Sequence, residues 1–279
     1  MRERVRVAAL QMNCRLGDRA ANLDRAEELL SRVAGEVDIA CFPELFNIGY
    51  DFGPLTEGLA LRLAEPVPRQ AHGQRGPTVE RLCRLAGTAG VAIVGALVER
   101  DPSAADRLYD TAVLIDRNGA VRGRYRKSHL FPREHELFRS GDRLPVFDLD
   151  RVRVGVAICF EAAFPPIAST LALRGAHVIF NPSAVPLGYE HLQDVRTRAR
   201  AQDNQVFVVA ANHVGVEGEA RYCGRSQIAD PRGEILAVAS EDQAEVVRAE
   251  LDLGVIREQR RREPVFRGFR PDLYRFSKE

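Results

Sequence analysis

Short apolar runs recur along the chain, each bounded by glycine, proline or charged residues, and this pattern predicts β-strands. Most of these runs are continuously apolar rather than alternating, which indicates strands that are covered on both faces. The predicted strands span residues 4–12, 38–45, 91–100, 109–116, 120–127, 151–159, 177–184 and 205–215.

Segments with helical spacing of apolar residues separate many of the strands. Between Asn22 and Val33 the apolar positions follow the period of a helix, so an amphipathic helix is expected there. Further helices are predicted over residues 78–90, 166–175 and 189–204, and a loop rich in proline, glycine and charge over 49–77.

Two hairpins are predicted from their turn residues. Asn118-Gly119 lies between two strand-like runs, which is a strong hairpin signal, and a second hairpin over 224–239 turns at residues 230–233. The sequence RVRVAAL at 4–10 resembles RVRVGVA at 151–157, and each half of the chain ends in such a hairpin. This weak repeat predicts two mixed sheets, each covered by helices.

Composition narrows the class of protein. The 279 residues include 40 Lys and Arg against 39 Asp and Glu, a balance that argues against nucleic acid as the main partner. No signal peptide and no membrane span are recognisable, and the five cysteines are an odd number. We therefore expect a cytoplasmic protein with reduced thiols.

Three ionisable residues follow apolar runs closely: Glu44, Lys127 and Cys159. Ligands of α/β proteins bind where strands end, so the three are candidates for one site. Each also has an ordinary explanation, as a loop acid, a basic strand edge and a small core residue. The three residues are far apart in the sequence, so the sequence alone does not show that they meet in the folded chain.

Taken together, the segments around these residues resemble a known family. FPELF (42–46), YRKSHLF (125–131) and GVAICFE (155–161) are similar, in order and spacing, to the three motifs of the nitrilase superfamily of carbon–nitrogen hydrolases. The resemblance extends over residues 4–275. It implies an α/β fold, a four-layer αββα sandwich with two mixed β-sheets, as a single domain over 1–279 with 257–279 as a C-terminal tail.

The resemblance also implies a Glu-Lys-Cys triad that works without a cofactor. Cys159 would be the nucleophile and Glu44 the general base, because a thiol attacks carbonyl carbon well once its proton is removed. Lys127 and the backbone N–H of Phe160 would hold the oxyanion. A second glutamate is expected in the loop after the lysine, where Glu134 fits best and Glu136 is the alternative.

Other residues are candidates for the pocket because they follow strand ends. Tyr50 lies in the loop after Glu44, and Ser183 and Ala184 lie at the end of the strand predicted over 177–184. No metal site is expected, since the six histidines and five cysteines show no metal-ligand spacing. A dinucleotide-binding fold is not expected either, because no Gly-x-Gly-x-x-Gly follows the first strand.

The residues after the cysteine favour one branch of the superfamily. True nitrilases tend to continue with Trp-Glu-Asn, whereas this chain continues with Phe160-Glu161-Ala162, which resembles the amidases. We therefore expect hydrolysis of a small amide to ammonia and a carboxylic acid. The alternatives are an N-carbamoyl amine or a nitrile as the substrate, acyl transfer to another acceptor, and a non-catalytic binding or scaffold protein. The resemblance further implies a homodimer or higher homo-oligomer.

Overall fold

The computed structural model describes residues 4–51 and 53–274, without the side chains of residues 54–57. The strands are β1 (Arg4–Leu10), β2 (Ile39–Cys41), β3 (Ala92–Arg100), β4 (Leu108–Ile115), β5 (Val121–Arg126), β6 (Val146–Leu149), β7 (Val152–Val156), β8 (Val178–Pro182), β9 (Phe207–Ala211), β10 (Val214–Glu217), β11 (Ala220–Cys223), β12 (Gln227–Ala229), β13 (Ile235–Val238) and β14 (Val246–Asp252). The helices are α1 (Arg19–Ser31), α2 (Pro54–Leu63), α3 (Pro77–Ala89), α4 (Pro165–Leu173), α5 (Glu190–Asn204) and α6 (Gly254–Arg262).

Two six-stranded sheets follow the same plan. The first has the order β14-β1-β2-β3-β4-β5, and the second has the order β6-β7-β8-β9-β12-β13. In each, three parallel strands (β1-β2-β3 or β7-β8-β9) are flanked by antiparallel ones. The repeat between RVRVAAL and RVRVGVA therefore corresponds to two structurally matching halves, and both sheets are mixed as predicted.

The layers follow from which faces are apolar. The largest core lies between the two sheets and includes Val94 from the first and Phe180 from the second. A second core, with Leu29 and Leu82, seals α1 and α3 onto the outer face of the first sheet, and a third, with Leu171 and Ala201, seals α4 and α5 onto the second. Burial on both faces explains the continuously apolar strands, and the predicted four-layer αββα sandwich is confirmed.

Several element boundaries differ from the prediction. The expected loop 49–77 contains the ten-residue helix α2, which begins with a proline where a missing N–H costs nothing. The strand predicted over 205–215 is divided into β9 and β10. Strand β6 was not predicted, because its VFDL sequence is short and includes a polar residue.

The strands near the candidate site end earlier than predicted. Strand β2 ends at Cys41, before Pro43, which has no N–H to donate to a ladder. Strand β7 ends at Val156, and Cys159 has φ +45°, a value that a strand cannot contain. Glu44 and Cys159 therefore lie in turns three residues beyond their strands, and only Lys127 follows its strand directly.

The C-terminal segment forms α6 and two short 3₁₀ turns. The backbone oxygen of Glu263 accepts a hydrogen bond from Gln205, and Phe266 packs against the third core. Most side chains after Arg262 are exposed. A role for this segment in pairing subunits stays a prediction. No helix in the described part of the chain has the length and apolar character that crossing a bilayer requires.

Two glycines give a matched test of the contact between the β4–β5 turn and α3. Gly119 has φ +80°, and a Cβ there would lie 2.3 Å from the backbone oxygen of Cys83, whereas Gly90 has φ +65° and open space around it. We expect Gly90→Ala to lower the free energy of unfolding by about 1–2 kcal/mol through backbone strain alone. Gly119→Ala should lower the free energy of unfolding by about 1–3 kcal/mol more than Gly90→Ala does, because α3 must move. Urea denaturation measures both, and equal losses would contradict the close approach.

Candidate active site

The ammonium group of Lys127 lies at the centre of a buried group of carboxyl side chains. Its Nζ is 2.6 Å from Oε1 of Glu44, 2.8 Å from Oε1 of Glu134 and 3.5 Å from Oδ2 of Asp110. All four side chains are buried. The fold thus brings three separate segments to one cation: the turn after β2, the middle of β4 and the loop after β5.

The charge of Lys127 is stabilised by its neighbours. Burial by itself lowers the pKa of a lysine, but Glu134, Glu44 and Asp110 raise it by more, so the pKa of Lys127 stands well above its usual value. Lys127 is therefore a fixed cation across the physiological pH range.

Glu134, and not Glu136, reaches this group. Both lie in the 3₁₀ helix Pro132–Glu136, but the side chain of Glu134 is buried and that of Glu136 is exposed. Oε1 of Glu134 also accepts a hydrogen bond from the Tyr50 hydroxyl at 2.7 Å, and Oε2 accepts one from the N–H of Phe131 at 2.7 Å. Burial raises the pKa of Glu134, an effect that Lys127 opposes.

Asp110 belongs to the group but was not identified from the sequence. It lies within β4, whose eight residues are all buried. Burial, followed by the charge of Glu44, raises its pKa well above the usual value. The available signal was an acid inside the apolar run YDTAVLID, which we interpreted only as part of a strand.

Cys159 lies beside this group in an unusual backbone conformation. It begins the 3₁₀ helix Cys159–Ala163 with φ +45° and is partly exposed, while Leu45, directly after Glu44, has φ +47°. Left-handed backbone costs about 1–3 kcal/mol for a residue with a side chain and is concentrated at functional sites. Two strained residues therefore adjoin the candidate site.

The thiol of Cys159 is protonated at neutral pH. Burial raises its pKa well above the usual value, and the charge of Glu44 raises it further, while Lys127 and the N–H of Ala184 lower it. An attack by Cys159 therefore needs a group that takes the proton as the sulfur reacts. Glu44 is the carboxyl group whose charge acts most strongly on this thiol.

The buried carboxylate of Glu161 ties the segment after the lysine to the segment before the cysteine. Its Oε1 accepts hydrogen bonds from the hydroxyls of Tyr125 and Ser128, at 2.5 and 2.6 Å, and from the N–H groups of Ser128 and His129, at 2.8 and 3.2 Å. Its Oε2 accepts one from the N–H of Ile158 at 2.7 Å. Glu161 thus fixes the distance between the two segments.

A second buried carboxylate, Glu217, holds the turn that carries Glu44. It accepts hydrogen bonds from the N–H groups of Cys14 and Tyr50, at 3.0 and 2.9 Å, and pairs with Nδ1 of His213 at 2.6 Å. Nε2 of His213 lies 2.5 Å from the backbone oxygen of Glu44. Burial lowers the pKa of His213, but Glu217 raises it by more. Neither His213 nor Glu217 was identified from the sequence.

A mainly apolar cavity of about 270 Å³ opens at Cys159. Phe160, predicted to hold the oxyanion through its N–H, and Ala184, a predicted pocket residue, line it, as does Glu134. The other two predicted pocket residues are buried behind it: Tyr50 bonds to Glu134, and the Ser183 hydroxyl donates to Asn181, which lines the cavity. Arg196 also lines it and was not identified from the sequence.

Two groups of described residues have possible metal ligands within 4.8 Å of one another: Cys14, His213 and Glu217, and Glu44, Asp110 and Glu134. In the second group the ammonium of Lys127 already supplies the positive charge. In the first, His213 and Glu217 already bond to each other and to the backbone. These contacts give no argument for a metal at either place.

Comparison with known proteins supports one family. A family model described as carbon-nitrogen hydrolase matches residues 6–261. A nitrilase from Pyrococcus abyssi is 38% identical over 92% of this chain and 93% of its own, and a 2-oxoglutaramate amidase from Bacillus subtilis is 32% identical over 96% and 98%. The crystal structure of Saccharomyces cerevisiae Nit3, a member of branch 10 of the nitrilase superfamily, matches with a TM-score of 0.86 at 30% identity, covering 94% of this chain and 95% of that one.

Glu161 gives a test of how the site is held together. Glu161→Gln replaces one accepting oxygen by an NH₂ group that faces N–H and O–H donors, so we expect the free energy of unfolding to fall by about 2 kcal/mol or more. Glu136→Gln, on the exposed loop, should change it by less than about 0.5 kcal/mol. Urea denaturation of both variants measures the difference. An unchanged stability in Glu161→Gln would show that the five hydrogen bonds contribute little.

Proposed function

Because the chain belongs to the carbon–nitrogen hydrolase family, we propose that it is an amidase that cleaves a small amide through a thioester on Cys159. The observation that carries the proposal is the buried Lys127 ammonium between Glu44 and Glu134, beside a thiol that opens onto a cavity. The arrangement supplies a nucleophile, a proton acceptor and a fixed positive charge.

In the first step the sulfur of Cys159 attacks the amide carbonyl carbon while Glu44 takes the thiol proton. The thiol is protonated at rest, so transfer to an adjacent carboxylate is what makes it nucleophilic. Negative charge develops on the carbonyl oxygen, next to the Lys127 ammonium and the N–H of Phe160. A donor of this kind typically lowers the barrier by ~2.7–4 kcal/mol.

In the second step the tetrahedral intermediate collapses and the C–N bond breaks. The proton held by Glu44 passes to the departing nitrogen, which leaves as ammonia, and the acyl group stays on Cys159 as a thioester. Glu44 then takes a proton from water, and the resulting hydroxide attacks the thioester carbon. The carboxylic acid is released and the sulfur regains its proton.

Glu134 acts through Lys127. With Glu44 on one side and Glu134 on the other, two N–H groups of the ammonium are engaged and its position is fixed. The Tyr50 hydroxyl and the Phe131 N–H hold Glu134 in turn. We infer that this chain of contacts aims the cation at the oxyanion.

The cavity favours an amide that also carries a carboxylate. Its surface is mainly apolar, which suits a short carbon chain, and Arg196 lies in its wall. Within the described part of the chain, no carboxylate forms an ion pair with Arg196. A guanidinium without a protein partner can hold a substrate carboxylate. The relative named 2-oxoglutaramate amidase supports this substrate class.

Ammonia release tests the proposed activity. The panel contains neutral amides, amides with a second carboxylate, N-carbamoyl amines and nitriles, each with wild type and with Cys159→Ala. We expect release from amides, strongest with the carboxylate-bearing ones, and a loss of about 10³-fold or more in Cys159→Ala. Release that survives the substitution would contradict the nucleophile. No release from any compound would favour a binding protein, and hydroxamate formation with added hydroxylamine would reveal acyl transfer.

Glu134 and Glu136 form a matched pair for the role of the second glutamate. Glu134→Gln keeps the size of the side chain but removes the charge beside Lys127, so we expect kcat to fall about 10²-fold or more. Glu136→Gln, two residues away and exposed, should stay within about twofold of wild type. Circular dichroism and thermal unfolding verify that both variants are folded. Equal activities would contradict a role for Glu134.

A further inference from the structure

Asp110 is the one member of the buried carboxyl group that has no assigned role. Alternate residues of a strand point to the same side, so Asp110 shares its face of β4 with Ala112 and Leu114, which belong to the core between the sheets. Its side chain has no exposed surface. It therefore lies at the inner end of the site, where water does not reach it.

The hydrogen bonds of Asp110 are incomplete. No donor in the described part of the chain bonds to either of its side-chain oxygens, and Oε2 of Glu44 is likewise buried and unpartnered. Oxygens of Glu44, Asp110 and Glu134 lie within 4.8 Å of one another. Because a buried ionised carboxylate needs donors, the unpartnered oxygens on both Asp110 and Glu44 indicate that one of these two neighbouring groups keeps its proton.

The charges in the site lead to the same assignment. Three ionised carboxylates around the single ammonium of Lys127 would leave two uncompensated negative charges in a buried space. The glutamates take the two short contacts to Nζ, at 2.6 and 2.8 Å, whereas Asp110 lies at 3.5 Å. Carboxyl groups that share a site do not all ionise, and the one with the weakest contact to the cation keeps its proton.

We propose that Asp110 is a positioning residue, held as the neutral carboxylic acid, which donates its proton in a hydrogen bond to the otherwise unpartnered oxygen of Glu44. Only the consequence, that Glu44 is fixed as the base for Cys159, rests on the proposed function. With Lys127 on one oxygen and Asp110 on the other, the Glu44 carboxylate cannot rotate, and a fixed lone pair is left for the thiol proton.

The groups that act on Asp110 are Glu44, Lys127 and Glu134. If Asp110 were ionised, it would compete with Glu44 for the ammonium, and its negative charge would disfavour the oxyanion. As a neutral donor it does neither. The neighbouring Thr111 points to the other side of β4, where it bonds to Glu99, and it supplies a control within the same strand.

Asp110→Asn and Asp110→Ala separate a neutral donor from a required charge. Asparagine keeps a donor of similar size without ever being charged, so kcat should stay within about threefold of wild type. Alanine removes the donor, and kcat should fall about 10- to 100-fold with little change in KM. Thr111→Val should leave kcat within about twofold. Equal loss in Asp110→Asn and Asp110→Ala, or full activity in Asp110→Ala, would overturn the proposal.

Infrared spectroscopy gives a readout that does not depend on the reaction. The difference spectrum of wild type minus Asp110→Asn at neutral pH should contain the carbonyl stretch of a protonated carboxylic acid. A carboxylate band in its place would overturn the proposal even if the protein had no amidase activity. If Asp110→Ala does not fold, the activity and the spectrum of Asp110→Asn still decide between the two states.

Discussion

The arrangement of the site depends on one buried cation. Removing the Lys127 ammonium from water is costly, and the cost is met only where carboxylates and hydrogen bonds replace the lost hydration. Each of these carboxyl groups comes from a different segment, and Glu44 and Glu134 lie in turns that would otherwise be free to move. The need to surround one charge therefore orders the turn after β2 and the loop after β5. Further buried carboxylates, Glu161 and Glu217, extend this order to the backbone on either side.

The sandwich makes this arrangement possible. Strand β2 runs parallel to β1, and β8 runs parallel to β7, so the turns after β2 and β8 lie at the edge of the intersheet core. The N–H of Glu44 faces the backbone oxygen of Ser183 at 3.4 Å, so the turns of the two sheets meet directly. A rigid, apolar core thus supports a small polar group at its margin, where the dielectric is low and a fixed charge has a strong effect.

Much of the fold could be predicted, because the strands are continuously apolar and their turns carry Asn-Gly or proline. The grouping of Glu44, Lys127 and Cys159 depended on three motifs considered together, since no local pattern joins residues so far apart. Asp110 was missed because a single acid in a strand looks like an ordinary edge residue until its neighbours are known. His213 and Glu217 were missed for the same reason: His213 bonds to a backbone oxygen and Glu217 accepts hydrogen bonds from backbone N–H groups, and such contacts leave no trace in the sequence. The exact strand ends at Cys41 and Val156 depend on backbone angles that tertiary contacts impose.

The strand order of the first sheet has a consequence for how the protein is made. Strand β1 pairs on one side with β14, so that Arg4 lies opposite Asp252, near the other end of the chain. At ~5–20 residues per second, a ribosome needs roughly 10 to 50 s after β1 to deliver its partner. Throughout that time the apolar β1 has an open edge, to which strands of other chains can bind. The nascent chain is therefore exposed to aggregation until β14 has been synthesised, and a chaperone that covers this edge would increase the yield of folded protein.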